Sequence, residues 1–216
     1  AHTGVWDTST GLPDTFTGQP NYINNIEADN CWVMAPHQWA NQGCVAVSTE
    51  NDTIGEPMNA IGGGVYALEW DPVNGYIKSW VFKNDNIPEN LQQAMATSNN
   101  DLKSEQLTPD PSSWPIPYAY FAIGEGTGCS NDHFQSMRLV FNLAFCGTVA
   151  GNRFFKDCPA LSAEFNVSSD SVRTCNAYIA SEPEALSEAY WKIRGVYVYE
   201  REFEKQSRNA TKHHGN

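Results

Sequence analysis

Carboxylates two residues apart in a strand point to the same face of a sheet, where a pair of them can act as general acid and general base. Glu27-Ala-Asp29 and Glu200-Arg-Glu202-Phe-Glu204 are two of the runs with this spacing. The first has a single glutamate and lies among asparagines. The second follows the last predicted strand in a charged segment. We interpret the second run as a solvated edge, and neither run is a good candidate for a catalytic pair.

Two other chemistries have partial signals. Asp132 precedes His133, and with a serine these residues would suggest a hydrolytic triad. No GxSxG motif is present, however, and adjacency in sequence says nothing about geometry. Gly62-Gly63-Gly64 lacks the Lys-Ser/Thr that follows a phosphate-binding loop. The sequence therefore favours neither chemistry.

Cysteine usage and glycosylation sequons indicate a secreted protein. No cysteine belongs to a CxxC pair of the kind that binds zinc or exchanges disulfides. Sequons begin at Asn51, Asn166 and Asn209. Together these features favour an oxidised glycoprotein that is secreted, extracellular or at the cell surface. The cysteines are Cys31, Cys44, Cys129, Cys146, Cys158 and Cys175.

Proximity in sequence indicates how these cysteines could pair. Cys31 and Cys44 close a short, irregular loop that needs a covalent constraint. Cys129 and Cys146 flank a predicted strand and form the next pair by proximity, which leaves Cys158 and Cys175. Because six cysteines permit many connectivities, the pairing stays a prediction.

Charge and length exclude several classes of protein. The net charge of −12 repels phosphate backbones and anionic membranes, so we expect no nucleic-acid partner. No apolar run approaches the roughly 20 residues that span a bilayer, so we expect no membrane partner. A chain of 216 residues can fold on its own core, and we expect neither a metal nor a cofactor.

The clearest local signal is a β-hairpin. Val65–Trp70 and Tyr76–Phe82 are predicted strands, and Asn74-Gly75 supplies the turn. Pro117–Ile123 is a further predicted strand. A short helix is predicted over Ile87–Met95, with Pro88 in its first turn. A second helix is predicted after a capping box that spans residues 181–184.

Two longer strands are predicted near the C-terminus. In the segment 136–145, bulky residues alternate with lighter ones, which is typical of a strand with one face in a core. Asn142 lies in the middle of the lighter face, where it is either a hydrogen-bonded polar residue at a sheet edge or an amide that faces a ligand. Trp191–Glu200 alternates in the same way. Since no linker divides the chain, we predict a single all-β unit, a sandwich or jelly roll.

Several motifs occur in the order found in one family. The chain resembles the fungal laminarinase-type endo-1,3(4)-β-glucanases of glycoside hydrolase family 16. The motifs that carry the resemblance are, in order, GGGVYALEW, YIKSWVF, NIP, PDPSSW, SMRLVFNLAFCGTVAG and EALSEAYWKIRGVYVYE. The initial AHTG resembles the His-Thr strand of those enzymes. The resemblance covers nearly all of residues 1–200 and leaves 201–216 as a polar tail. It implies a concanavalin-like β-jelly-roll whose concave sheet forms a glucan cleft.

The same resemblance supplies candidates for the cleft. Asn142 matches a cleft-lining asparagine of the family, and His133 matches a histidine near the cleft rim. We add Trp70 and Trp80 of the hairpin as aromatic candidates. Val149 stands where the family usually has a tryptophan that stacks on a sugar.

The catalytic signature of the family is missing. That signature is Glu, an apolar residue, Asp, one or two apolar residues, then Glu, on a strand just before the His-Thr strand. The chain therefore resembles an incomplete jelly roll that begins after its own active site. We expect another chain, or neighbouring copies, to supply the missing strands in an oligomer or filament.

Three functions follow from this resemblance. The preferred one is a non-catalytic extracellular subunit on a glucanase scaffold, structural or associated with β-glucan or another glycan. The alternative is the C-terminal portion of a retaining endo-1,3(4)-β-glucanase whose catalytic glutamates lie on a missing N-terminal part. The third is a lectin-like module that binds β-glucan.

Overall fold

The computed structural model describes residues 19–20, 22–23, 26–27, 30–38, 40, 43–44, 46–98 and 107–201. The chain forms two compact units, one of residues 1–135 with 197–216 and the other of residues 136–196. Within the described ranges, helices contain more residues than strands. The expectation of an all-β protein is therefore not confirmed.

Short strand pairs begin the first unit. Strand β1 (Gln19–Pro20) pairs with β4 (Ala46–Val47), and β2 (Tyr22–Ile23) pairs with β3 (Ile26–Glu27). A disulfide joins Cys31 to Cys44, as the sequence predicts. The Gln38 amide donates to the carbonyls of Asn30 and Gly43, at 2.8 and 3.0 Å, and so supports this loop from within. Helix α1 (Gly55–Ala60) follows.

A three-stranded antiparallel sheet is the centre of this unit. It has the order β5 (Gly64–Asp71), β6 (Tyr76–Lys83), β7 (Ala119–Ala122). Gly75 adopts a φ of +74° in the β5–β6 turn, a conformation that glycine reaches without steric cost. The Asp71 carboxylate accepts hydrogen bonds from the backbone of Val73 and Asn74. The predicted hairpin and the predicted strand near Phe121 are confirmed.

One face of the sheet is covered by helix α2 (Glu89–Ser98), close to the predicted helix. Trp80, Phe82 and Leu91 form the core there, each 4% exposed. Trp114 meets the Trp80 and Phe82 rings edge to face, with centroids 5.1 and 5.3 Å apart. The indole of Trp80 donates to the Pro115 carbonyl at 2.7 Å, so its polar atom is satisfied inside the core.

The opposite face is apolar and largely uncovered by the described residues. Tyr66, Leu68 and Trp70 alternate along β5 and are 53%, 68% and 43% exposed. The strand register places them on the same face as Ile77 and Phe121 of the neighbouring strands. A sheet face of this composition is normally packed against a second layer. We refer to it as the open face.

The second unit is a small helical cluster. Phe154 is its buried centre, with Leu161, Tyr178 and Ile179 packed around it. The Phe154 and Tyr178 rings stack with centroids 5.9 Å apart. Its helices are α3 (Gly147–Ala150), α4 (Phe154–Asp157), α5 (Pro159–Glu164) and α6 (Ser171–Ser181).

The predicted pairing of Cys129 with Cys146 is wrong. Cys146 instead forms a disulfide with Cys175 of α6, with Cα atoms 5.7 Å apart. Cys129 and Cys158 form no disulfide. The error arose because α6 was not predicted, although Asp170 caps it by accepting from the Val172 and Arg173 amides.

The two predicted C-terminal strands are not present as strands. Residues 137–145 and 191–200 take no regular secondary structure. Apolar side chains from Met137 to Phe145 are between 46% and 70% exposed, including those on the expected core face. A strand needs a neighbour to pair with, and the described residues provide none for these segments. The helix predicted after residues 181–184 is reduced to a single 3₁₀ turn, Pro183–Leu186.

The Cys146–Cys175 disulfide is expected to stabilise the second unit. Replacing both cysteines by serine removes a cross-link across 29 positions, and should lower the free energy of unfolding by about 3–4 kcal/mol. Urea denaturation followed by circular dichroism measures this change. Cys129→Ser is the matched control, because Cys129 forms no disulfide, and it should change the stability much less. Equal effects of the two changes would contradict the observed connectivity.

Candidate functional site

The structure brings two of the predicted cleft residues into one region. Trp70 lies at the end of β5 and packs against Phe134, with ring centroids 6.3 Å apart. Phe134 follows His133 in the 3₁₀ turn Asn131–Phe134. The side-chain amide of Asn131 donates to the Pro72 carbonyl at 3.1 Å, which fixes this turn beside the β5–β6 hairpin.

A cavity of about 560 Å³ lies in the loop that contains this turn. The loop folds back on itself, since the Gly124 amide donates to the Cys129 carbonyl at 2.6 Å. The Thr127 hydroxyl donates to the Gly124 carbonyl at 2.8 Å and closes the loop from inside. Polar side chains that line the cavity are Glu125, Ser130, Asn131, Asp132 and His133.

Asn131 presents an unusual acceptor to this region. Its Oδ1 atom is buried and has no hydrogen-bond partner among the described residues. A buried polar atom without a partner costs about 1–3 kcal/mol, so such atoms in native proteins call for an explanation. Nothing in the sequence marks Asn131 as a candidate, although its neighbours Asp132 and His133 are titratable residues of the same segment.

The other two predicted cleft residues lie elsewhere. Trp80 is 4% exposed and its indole is bonded to Pro115, so it is a core residue rather than the sugar-facing one that the sequence analysis expects. Asn142 belongs to the second unit and is exposed. Its carbonyl accepts from the Trp191 indole at 3.1 Å. Whether its amide faces a ligand stays a prediction.

A charged cluster lies at the β5–β6 turn end of the sheet, on the face that also carries Trp80 and Phe82. Glu69 and Asp71 are alternate residues of β5, and both bind the guanidinium of Arg201, at 2.8 and 2.5 Å. Tyr76 donates to Glu69 at 3.2 Å. Lys78 lies 3.9 Å from the centroid of the Tyr76 ring. Arg201, the first residue of the predicted tail, is thus bound to the sheet.

Burial and hydrogen bonding shift the titration of this cluster. Burial raises the pKa of Asp71, but hydrogen bonds from Asn74, Tyr76 and Val73 outweigh it, and the net direction is downward. Burial also raises the pKa of Tyr76 to about 12; the hydrogen bond with Arg201 lowers it, and the charges of Glu69 and Asp71 raise it. At neutral pH the cluster therefore holds a charged Asp71 carboxylate beside the neutral Tyr76 phenol.

This arrangement does not form an acid–base pair. Both carboxylates of the cluster are bound to one arginine, and Asp71 is also fully buried in the hairpin turn. Of the carboxylates that the sequence analysis weighed, Glu27 lies in β3 and Glu200 is exposed. Residues 29, 202 and 204 lie outside the described residues. Among the side chains that the structure describes, no group of metal-ligating residues converges on one point.

The remaining predictions concern the surface. The sequon residues Asn51 and Asn166 are exposed, while residue 209 lies outside the described part of the chain. No helix in the described ranges is both long and apolar enough to cross a bilayer.

Comparison with known families assigns the chain. Residues 2–199 match the family model described as the XgeA-like, catalytic domain of glycoside hydrolase family 16. The chain therefore belongs to the XgeA-like catalytic domains of this family, and the resemblance found in the sequence is confirmed.

Curated relatives come from fungi. The endo-1,3(4)-β-glucanase of Arthroderma benhamiae is 32% identical over 182 residues, which are 83% of this chain and 34% of that protein. A probable endo-1,3(4)-β-glucanase of Aspergillus clavatus is 33% identical over 159 residues, 73% of this chain and 21% of that protein. A probable glycosidase of Schizosaccharomyces pombe is 30% identical over 79% of this chain and 34% of that protein. The chain thus spans between about a fifth and about a third of the length of these relatives.

Solved structures give the same picture of the fold. An elongating family 16 β-1,3-glucosyltransferase superposes with a TM-score of 0.60 and 26% identity, over 88% of this chain and 52% of that one. Laminarinase 16A from Phanerochaete chrysosporium superposes with a TM-score of 0.54 and 25% identity, over 88% of this chain and 53% of that one. These neighbours are jelly rolls, and this chain corresponds to about half of such a structure.

Replacing Arg201 tests the charged cluster. Arg201→Met keeps the aliphatic stem but leaves the buried Asp71 without its cation and Glu69 with only the longer Lys78 pair, at 4.0 Å. Because Arg201 is 38% exposed, the expected loss is below that of a fully buried pair, about 1–3 kcal/mol in the free energy of unfolding. The matched control is Arg153→Met, which breaks an exposed pair with Asp157 and should cost about 0.5 kcal/mol or less. Chemical denaturation of both variants decides whether the cluster is structural.

The same cluster predicts how stability depends on pH. The lowered pKa of Asp71 contributes stability that is complete above about pH 4 and is lost as the pH falls through the folded pKa. The raised pKa of Tyr76 contributes stability that is present below about pH 10 and is lost as the pH rises towards about 12. Ultraviolet absorbance of tyrosinate should therefore show a component near pH 12 that Tyr76→Phe removes, beside the contributions of Tyr66 and Tyr120, whose pKa values burial also raises. Tyr190→Phe, at a side chain 59% exposed, is the control and should leave that component in place.

Proposed function

We propose that this chain is the C-terminal portion of a secreted, retaining endo-1,3(4)-β-glucanase domain, and that residues outside these 216 supply its catalytic glutamates. The observation that carries the proposal is the open face of the sheet in a chain that belongs to a catalytic glucanase family. An apolar sheet face that the described residues leave uncovered is what half of a jelly roll presents.

The packing of the open face supports a missing layer. Tyr66, Leu68 and Trp70 lie on alternate positions of one strand, so a second sheet would cover all of them at once. Full burial of a large apolar side chain contributes about 1.5–3 kcal/mol, so covering these three would stabilise the sandwich by several kcal/mol. The apolar segment 137–145 would gain a pairing partner in the same way.

The chemistry requires two carboxylates about 5–5.5 Å apart, one as nucleophile and one as acid and base. The Glu69–Asp71 pair does not meet this need, because Arg201 binds both of its members. The catalytic strand must therefore join the sheet from outside the described residues. The role of this chain is then to build part of the cleft and to position the glucan.

The names of the relatives support the substrate class. Several are called endo-1,3(4)-β-glucanases, and Laminarinase 16A has been solved with β-glucans in both donor and acceptor sites. One structural neighbour is described as a β-1,3-glucosyltransferase, in which a sugar replaces water as the acceptor. We therefore propose β-1,3-linked glucan as the substrate, with hydrolysis as the reaction.

A second function is favoured by the same open face. Unpaired sheet edges also recruit strands from other chains, and β5 and β7 are the edges of this sheet among the described residues, so the chain would serve as a non-catalytic subunit that another polypeptide completes. The two functions differ in whether the completing strands carry the catalytic glutamates.

Activity and peptide mapping of the native protein distinguish the glucanase from the non-catalytic subunit. We expect protein isolated from its source with an antibody against this chain to release reducing sugar from laminarin with retention at the anomeric carbon. Peptide mapping of the same sample should find a Glu-x-Asp-x-x-Glu or Glu-x-Asp-x-Glu peptide. The 216-residue chain expressed alone is the control and should be inactive, since loss of general acid catalysis alone costs about 10²–10⁴-fold.

Native material that contains this chain but neither the acidic peptide nor the activity would reject the glucanase and support the subunit. Hydrolysis by the 216-residue chain alone would reject both.

A further inference from the structure

The β5–β6 turn contains the one Asn-Gly pair of the sequence, Asn74-Gly75. An asparagine before a glycine is unusually prone to deamidation, because glycine has no side chain to shield its backbone nitrogen. In that reaction the Gly75 nitrogen loses its proton and attacks Cγ of Asn74, ammonia leaves, and a cyclic imide forms. Water then opens the imide at either carbonyl and leaves aspartate or isoaspartate in place of the asparagine.

The folded turn restrains the nucleophile of this reaction. The Gly75 N–H donates to the Asp71 carbonyl at 2.9 Å, so the proton that has to be removed is held in a hydrogen bond. The Gly75 carbonyl accepts from the Ile123 amide, also at 2.9 Å. A Cβ atom on Gly75 would lie 2.6 Å from the Ile123 carbonyl oxygen, so there is little room for the glycine to move on that side. The nitrogen becomes reactive only when these contacts open.

The electrophile is restrained by the same aspartate. Nδ2 of Asn74 donates to Asp71 Oδ2 at 2.8 Å, and the Asn74 backbone N–H donates to Oδ1 at 2.8 Å. Asp71 is fully buried, and Arg201 binds its Oδ2. If the Asn74 side chain left to form the imide, a buried carboxylate would lose a charge-assisted hydrogen bond. Asp71 therefore holds both reacting groups.

Neither product of the reaction fits the closed turn. Aspartate would place a second carboxylate where Nδ2 now donates to Asp71, so two negative charges would face each other. Isoaspartate adds a methylene carbon to the main chain of a turn whose glycine is already fixed to Asp71 and Ile123. Arg201 is already bound to two carboxylates of the cluster. A turn that has been modified while open is therefore hindered from closing again.

We infer that Asn74-Gly75 is a deamidation site that the folded β5–β6 turn keeps unreactive, and that opening of the turn exposes it to irreversible modification. Arg201 acts as a positioning residue, because it is the cation of the aspartate that holds both reacting groups. The charged cluster thus protects the hairpin chemically as well as through its ion pairs. This inference does not depend on the proposed function, since all of its contacts lie within the first unit.

Peptide mapping of native protein isolated from its source tests the inference. One sample is kept folded in mildly alkaline buffer, a second is unfolded there in guanidinium chloride, and chymotrypsin then releases residues 71–76 from both. Isoaspartate in this peptide, measured by enzymatic methylation, should accumulate at least about tenfold more slowly in the folded sample, because the reaction waits for the turn to open. This comparison requires no variant to fold.

Variants of the 216-residue chain test the role of the cluster. Arg201→Met should accelerate the reaction in the folded chain by about fivefold or more, since Asp71 loses its cation. Arg153→Met is the matched control, because it breaks an exposed ion pair in the second unit, and it should leave the rate unchanged. Equal rates for the two variants would reject the positioning role of Arg201. Asn74→Gln should remove the signal and so confirm its source.

A third variant tests whether the product fits the turn. Asn74→Asp reproduces one product and should lower the urea midpoint of unfolding, whereas Asn176→Asp, at an exposed position of α6, should change it much less. Equal midpoints would contradict the proposed clash with Asp71. Isoaspartate that forms equally fast in folded and unfolded native protein, or that does not form in the unfolded protein, would overturn the inference as a whole. Neither result bears on the glucanase, which is decided by hydrolysis.

Discussion

A β-sheet has two faces, and the described residues of this protein cover only one of them. Trp80 and Phe82 are packed beneath α2 and Trp114, while Tyr66, Leu68 and Trp70 point away from that core. Side chains alternate between the two faces of a strand, so a strand with apolar residues at successive positions has an apolar surface on both faces. Each of these surfaces needs a packed layer. The incomplete jelly roll, the position of Trp70 and the proposed function all depend on this constraint.

Local signals predicted the sheet well. The β5–β6 hairpin follows from Asn74-Gly75 and two apolar strands of matching length, and its register needs no distant contact. Disulfide pairing was harder, since Cys146 meets Cys175 only after α6 has formed. The segments 136–145 and 191–200 show a third case. Their alternating pattern is typical of strands, but a strand forms only when a second strand is present to hydrogen-bond with it. No such partner lies in the described part of the chain.

The candidate site was predicted in part. The family resemblance indicated His133, which lines the glycine-rich cavity, and the aromatic candidate Trp70 packs against Phe134, the next residue. Nothing in the sequence distinguished Trp70 from Trp80, because both are tryptophans of the same hairpin. The register separates them, with Trp80 opposite Ala67 on the covered face and Trp70 opposite Ile77 on the open face. The unused acceptor of Asn131 could be found only from coordinates.

The ion pairs of Arg201 also bear on where the first unit ends. The family match stops at residue 199, two positions before the guanidinium that binds Glu69 and the fully buried Asp71. A family match is bounded by similarity, whereas the fold can require a residue beyond that boundary, here the one that neutralises a buried charge. A recombinant fragment trimmed to the profile would therefore retain every family motif and still leave a carboxylate without its counter-ion inside the hairpin.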